Sequence, residues 1–203
     1  RETSEWSKSM SEVIEEKARL ARTSIGFWIY LMTDCVLFAS LFATFAVLRT
    51  ATAGGPAGHD IFEPPLVLAE TIILLTSSFS CGVALLGLKA RNVRQVVTAL
   101  SVTFILGVAF LTIELSEFTK LVTEGHSWQV SAFLSAFFTL VGTHGLHIFV
   151  GLIWLVTLVT VLLRRGLTDK LSRQLTLFGL FWHFLDLVWI FIFTVVYLIG
   201  VAA

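Results

Sequence analysis

Five apolar stretches, each long enough to cross a bilayer, constrain this 203-residue chain more than any other feature. A helix needs about 20 residues to span the hydrocarbon core. The runs at 25–48, 66–88, 96–118, 131–163 and 175–200 meet that length. In hydrocarbon every backbone N–H and C=O must be bonded within the protein, so such a run becomes a helix rather than an open strand or a loop. The expected fold class is all-α, an integral membrane bundle of five transmembrane helices. Charged residues make up only 14% of the chain, which excludes the one or two soluble domains that its length would otherwise allow. The fourth run would measure about 50 Å as a helix, so it is expected to tilt or protrude.

The segments between the runs set the orientation. Residues 1–24 carry five glutamates and five basic residues and read as a cytoplasmic segment with a short surface helix, ahead of a transmembrane domain at 25–203. The segment does not read as a signal peptide, because the apolar run behind it is too long and lacks a small-residue cleavage site. Twelve of the fourteen Lys and Arg fall on one side: Arg1, Lys8, Lys17, Arg19 and Arg22, then Lys89, Arg91 and Arg94, then Arg164, Arg165, Lys170 and Arg173. Only Arg49 and Lys120 fall on the other. Positive residues stay inside, which predicts a cytoplasmic N-terminus and a periplasmic C-terminus. Trp28, Tyr30, Trp128 and Tyr197 sit near span ends, as interfacial aromatics do. Gly54-Gly55-Pro56 and Glu63-Pro64-Pro65 break the chain, and Pro64-Pro65 can lead into the second helix. Small residues recur at Ser131, Ser135 and Thr139, with Ala132 and Ala136 beside them, and at Ala39 and Ala43, a spacing that permits close helix approach in lipid. Zero net charge gives no sign of a nucleic-acid partner, and Cys35 and Cys81 lie inside apolar runs with no pairing or CxxC pattern.

Ionisable residues inside the spans carry the functional question, because they are costly in hydrocarbon and face partners rather than lipid. They are Asp34, Glu70, Glu114, Glu117, His144, His147, His183 and Asp186. With the orientation above they form two layers. Glu70, Glu114 and Glu117 lie near the outer ends of their spans, where solvation would account for them. Asp34, His144, His147, His183 and Asp186 lie deeper. His183 and Asp186 share a helix face, between Trp182 and Trp189, and read first as a hydrogen-bonded pair between helices. His144 and His147 also share a face, but a metal or haem site needs further ligands at that depth. Asp34 is too short to snorkel about 13 Å to the surface. It has to be protonated, paired or beside water, and it is the residue with the best claim to function.

Two motifs carry a resemblance. Gly142-Thr143-His144-Gly145-Leu146-His147 and Trp182-His183-Phe184-Leu185-Asp186-Leu187-Val188-Trp189 resemble subunit III of the haem–copper respiratory oxidases. Ser135-Ala136-Phe137-Phe138 and Ser116-Glu117-Phe118 fit as well. Asp34 falls where that family carries a buried carboxyl, usually glutamate. The mitochondrial type has seven helices; with five, and with Asp60-Ile61-Phe62-Glu63, this chain looks most like the bacterial cytochrome bo-type ubiquinol oxidase branch.

The resemblance implies an accessory, non-catalytic subunit of a proton-pumping terminal oxidase in the bacterial inner membrane. It would bind phospholipid and no haem or copper of its own, those groups belonging to its partner, subunit I. It would support assembly and sustained proton uptake. Two rival readings stand beside it. One is a proton-coupled transporter or channel with Asp34, His183 and Asp186 as a relay, although neither broken helices nor an inverted repeat is visible. The other is a metal oxidase using His144, His147 and His183 with Glu117.

Overall fold

The computed structural model describes residues 2–54 and 64–199. Among the described residues five α-helices follow one another: α1 Glu2–Leu48, α2 Pro64–Lys89, α3 Val93–Thr123, α4 Ala132–Arg165 and α5 Asp169–Ile192. The last continues through a wider π-helical turn at Phe193–Leu198. No strand occurs among the described residues. All five helices have a stretch long and apolar enough to cross a membrane, at Arg22–Leu48, Pro65–Lys89, Val93–Thr123, Ala132–Arg165 and Asp169–Leu198.

The helix ends follow from local chemistry. Asn92, Ser131 and Thr168 each stand one residue before a helix, and their side-chain oxygens accept from the N–H groups of Gln95, Leu134 and Leu171. These bonds satisfy donors that the first turn of a helix leaves unpaired. Lys89, Lys120, Arg164 and Arg165 occupy last turns, where positive charge complements the helix dipole. Gly166 stops α4 at φ +70°, a conformation that costs glycine little. The N-terminal segment is not a separate short helix: α1 runs unbroken into the first span.

The chain forms two compact units, Arg1–Leu37 and Phe38–Ala203, with the boundary inside α1. In the larger unit the centre is an aromatic side chain. The indole of Trp182, on α5, is 1% exposed. It lies against two helix backbones where both lack a side chain: a Cβ at Gly107 on α3 would come within 3.0 Å of the ring, and so would one at Gly151 on α4. Its Nε1–H donates to Ser77 Oγ on α2 at 3.2 Å, so one side chain joins four helices. Seven residues further on, and therefore on the same face, Trp189 donates to Thr71 Oγ1 on α2 at 3.1 Å. Helices α2 and α3 are also bonded directly: Ser77 Oγ donates to the Thr103 carbonyl at 3.1 Å, and Ser80 Oγ to the Ala99 carbonyl at 2.9 Å.

Glycines make the closest approaches, while of the small-residue stripes expected from the sequence Ser131 and Ala136 are buried. Ala39, Ala43 and Thr139 are exposed, and Ser131 serves as a helix cap. Gly107, Gly145, Gly151 and Gly179 are the positions where an added Cβ would meet a neighbouring side chain at 3.0 Å or less. Tyr197, within the π-helical turn, is buried at 2% exposure beside Val196.

Candidate functional site

The ionisable residues of the larger unit fall into two groups. The first is the acidic one. On α3 the buried positions run Thr103, Gly107, Phe110, Glu114, Glu117 and Leu121, the three-four spacing of a core-facing helix stripe. Glu114 and Glu117 belong to that stripe, and Glu70 occupies the buried face of α2. The expectation that these carboxyls are solvated is therefore corrected: all three are buried inside the protein, Glu70 completely. Depth along the helix suggested water, but helix phase turns them inward. They lie within electrostatic range of one another and of Tyr197. The Glu114 carboxyl rests on α4 at Gly145, where an added Cβ would sit 2.6 Å from Oε1. Among the described residues neither oxygen of Glu70, nor Oε2 of Glu114, has a hydrogen-bond partner.

His144 belongs to this layer through its rings. It is fully buried, 5.2 Å from the Trp189 ring and edge-on to Phe110 at 5.9 Å. Neither of its nitrogens has a hydrogen-bond partner among the described residues. His147 turns elsewhere. Its Nδ1–H donates to the Thr143 carbonyl of its own helix at 2.7 Å, and its ring lies 5.3 Å from Phe38. The two histidines share a helix but do not converge on one point. Among the described residues, no three His, Cys, Asp or Glu side chains are placed to hold a metal ion together.

The second group joins α5 to α2. Ser78 Oγ and His183 Nδ1 share a hydrogen bond of 2.6 Å, and Asp186 lines the same groove beside them. Ser78 is thus a polar partner on α2 of the kind that ionisable residues on a membrane helix have to face. In a catalytic triad the acid orients the histidine and the histidine activates the serine. Here the histidine bonds a serine on another helix, with the acid beside it, so the arrangement clasps two helices. Asp34 lies in the N-terminal unit, where the Tyr30 side chain one turn earlier hydrogen-bonds it.

Sequence reasoning missed Thr71, Ser77 and Ser78 as partners of the α5 residues, and Tyr197 as a member of the acidic layer. The run Thr76-Ser77-Ser78-Phe79-Ser80, four hydroxyls in the middle of an apolar span, was the available signal. Buried hydroxyls in a membrane helix either bond back to their own backbone or reach across to a neighbour.

Five helices long and apolar enough to cross a membrane, three of them (α2, α3 and α5) joined by indole and hydroxyl bonds, define a polytopic membrane protein built for packing. The sequence profile of the family described as cytochrome c oxidase subunit III matches residues 14–201, and the chain belongs to that family. It is 56% identical over 178 residues to the cytochrome bo(3) ubiquinol oxidase subunit 3 of Pseudomonas aeruginosa, covering 88% of this chain and 85% of the relative. The quinol oxidase subunit 3 of Bacillus subtilis is 45% identical over 188 residues, covering 92% of each. The cytochrome c oxidase subunit 3 of Bacillus sp. PS3 is 45% identical over 176 residues, with 87% and 85% covered. The chain is an accessory subunit of a terminal oxidase, and the transporter reading is not favoured.

Proposed function

We propose that this chain is subunit III of a quinol-oxidising, proton-translocating terminal oxidase of a bacterial inner membrane, where it packs on subunit I and holds phospholipid. The observation that carries the reading is the 56% identity with a ubiquinol oxidase subunit 3 along most of both chains. Haem and copper belong to subunit I. This chain contributes a bundle held together in part by polar helix–helix bonds: Trp182 on Ser77, Trp189 on Thr71, His183 on Ser78. Asp34, bonded by Tyr30, organises the first span and with it the sustained turnover of the complex.

Purification through a tag on this chain, from native membranes, tests the proposal. The preparation is expected to carry the partner subunits, to show haem absorption and to reduce oxygen with quinol as donor. Oxidation of reduced cytochrome c in place of quinol would overturn the quinol assignment. Once dissociated from its partners the chain is expected to keep no haem band, and a Soret band surviving that separation would overturn the accessory role.

The orientation is part of the same reading, with the N-terminus cytoplasmic and the C-terminus periplasmic. It rests on the twelve basic residues that fall on one side. A single cysteine introduced at 166–168 is expected to react with an impermeant maleimide only from the cytoplasm, and one at 52–54 only from outside. The reverse labelling pattern would invert the assignment.

A further inference from the structure

A groove of about 400 Å³ runs along the outer face of the bundle between α2 and α5. Its walls are apolar, with Leu75, Phe79 and Leu86 on α2. Its middle is polar, where Ser78, His183 and Asp186 line it. Ser78 stands fourteen residues from Pro64 and eleven from Lys89, about 21 and 17 Å along the helix, so the polar patch lies near mid-bilayer. Asp186 is 9% exposed, and its Oδ1 has no hydrogen-bond partner among the described residues. His183 spends Nδ1 on Ser78, and none of the described residues bonds its Nε2.

We propose that this groove receives a transmembrane helix of a neighbouring oxidase subunit, which brings a hydrogen-bonding side chain to His183 and Asp186. The inference rests on the oxidase-subunit reading and adds to it the face by which the chain docks. Depth selects the occupant. A phospholipid keeps its headgroup about 15 Å from the bilayer centre, and its chains offer no hydrogen bond. A helix satisfies its own backbone and delivers a polar side chain at that depth. Shape agrees with depth. From Leu75 to Leu86 the groove follows α2 for three turns, about 17 Å. Gly82 has nothing within 4 Å of where a Cβ would stand. Ser78 and Gly82, four residues apart, leave the α2 backbone open to close approach by a third helix. Outside the polar patch the face is lined by large exposed apolar residues, Leu68, Ile72, Leu75, Phe79 and Leu86.

Two measurements on the complex in native membranes test this. Phe79 is 74% exposed, and p-benzoylphenylalanine there places a photoreactive ketone at the groove wall. Irradiation is expected to give an adduct whose partner peptide maps to another subunit of the oxidase. Adducts of lipid or quinone mass only, or none, would overturn the proposal. Gly82→Leu fills the groove while leaving His183, Ser78 and Asp186 themselves unchanged. It is expected to leave the amount of chain in the membrane unchanged and to lower co-purification of the other subunits at least about tenfold, the loss of one well-packed contact. Undiminished co-purification would also overturn the proposal, and if this variant fails to accumulate the cross-link decides alone. The outcomes separate from failure of the oxidase reading itself: a wild-type chain that brings down no other subunit sinks that reading, whereas an intact complex with an unreactive groove sinks only the docking face.

Discussion

Trp182→Ala is expected to cost about 2–4 kcal/mol of the stability of the purified protein. Large-to-small substitutions in soluble cores reach about 3–5 kcal/mol because a transfer from water is added to the cavity left behind. Separated helices in a bilayer remain in hydrocarbon, so the water-transfer part falls away while the cavity and the lost dispersion contacts stay. The site cannot collapse readily, since Gly107 and Gly151 have no side chains to move into the space. Loss of the indole N–H also removes the bond to Ser77. Trp182→Phe keeps most of the ring and loses mainly that bond, at about 0.5–1.5 kcal/mol. Unfolding in mixed detergent, followed by helical circular dichroism, ranks the two. Equal losses would show that the bond, not the ring, holds the four helices together.

The second large effect separates two glycines in one motif. Gly145→Ala is expected to destabilise by about 1–3 kcal/mol, because its Cβ would sit 2.6 Å from Glu114 Oε1 and displace a buried carboxyl. Gly142→Ala, three residues earlier on the same helix, meets only the Phe118 ring at 3.5 Å. That is ordinary contact, and the gain in helix propensity of up to about 1 kcal/mol makes it neutral or mildly stabilising. The cause can be checked by a double mutant. If the clash is with Glu114, Glu114→Ala together with Gly145→Ala should recover much of the loss, since contacting residues couple strongly. Additive costs in the double mutant would place the strain elsewhere.

The five spans were legible in the sequence because lipid allows so few solutions: an apolar run of that length has to become a helix. The caps at Asn92, Ser131 and Thr168 are local too, each a side-chain oxygen meeting an N–H of the first turn. The importance of the Trp182–Trp189 stretch was equally visible, since a histidine and an aspartate in hydrocarbon need partners. What those partners are was decided by tertiary structure. That His183 and Asp186 face a polar partner followed from the sequence, but that the partner is Ser78 of α2, 105 residues away from His183 in the chain, did not. Glu70, Glu114 and Glu117 read as solvated by their depth, yet helix phase turns them into the core, where Tyr197 joins them. Depth along a helix is a property of one segment and can be counted from its ends. Which way a face turns, and what meets it there, depends on how four helices pack around Trp182. That packing is set by where glycine lets them approach, at Gly107, Gly145 and Gly151.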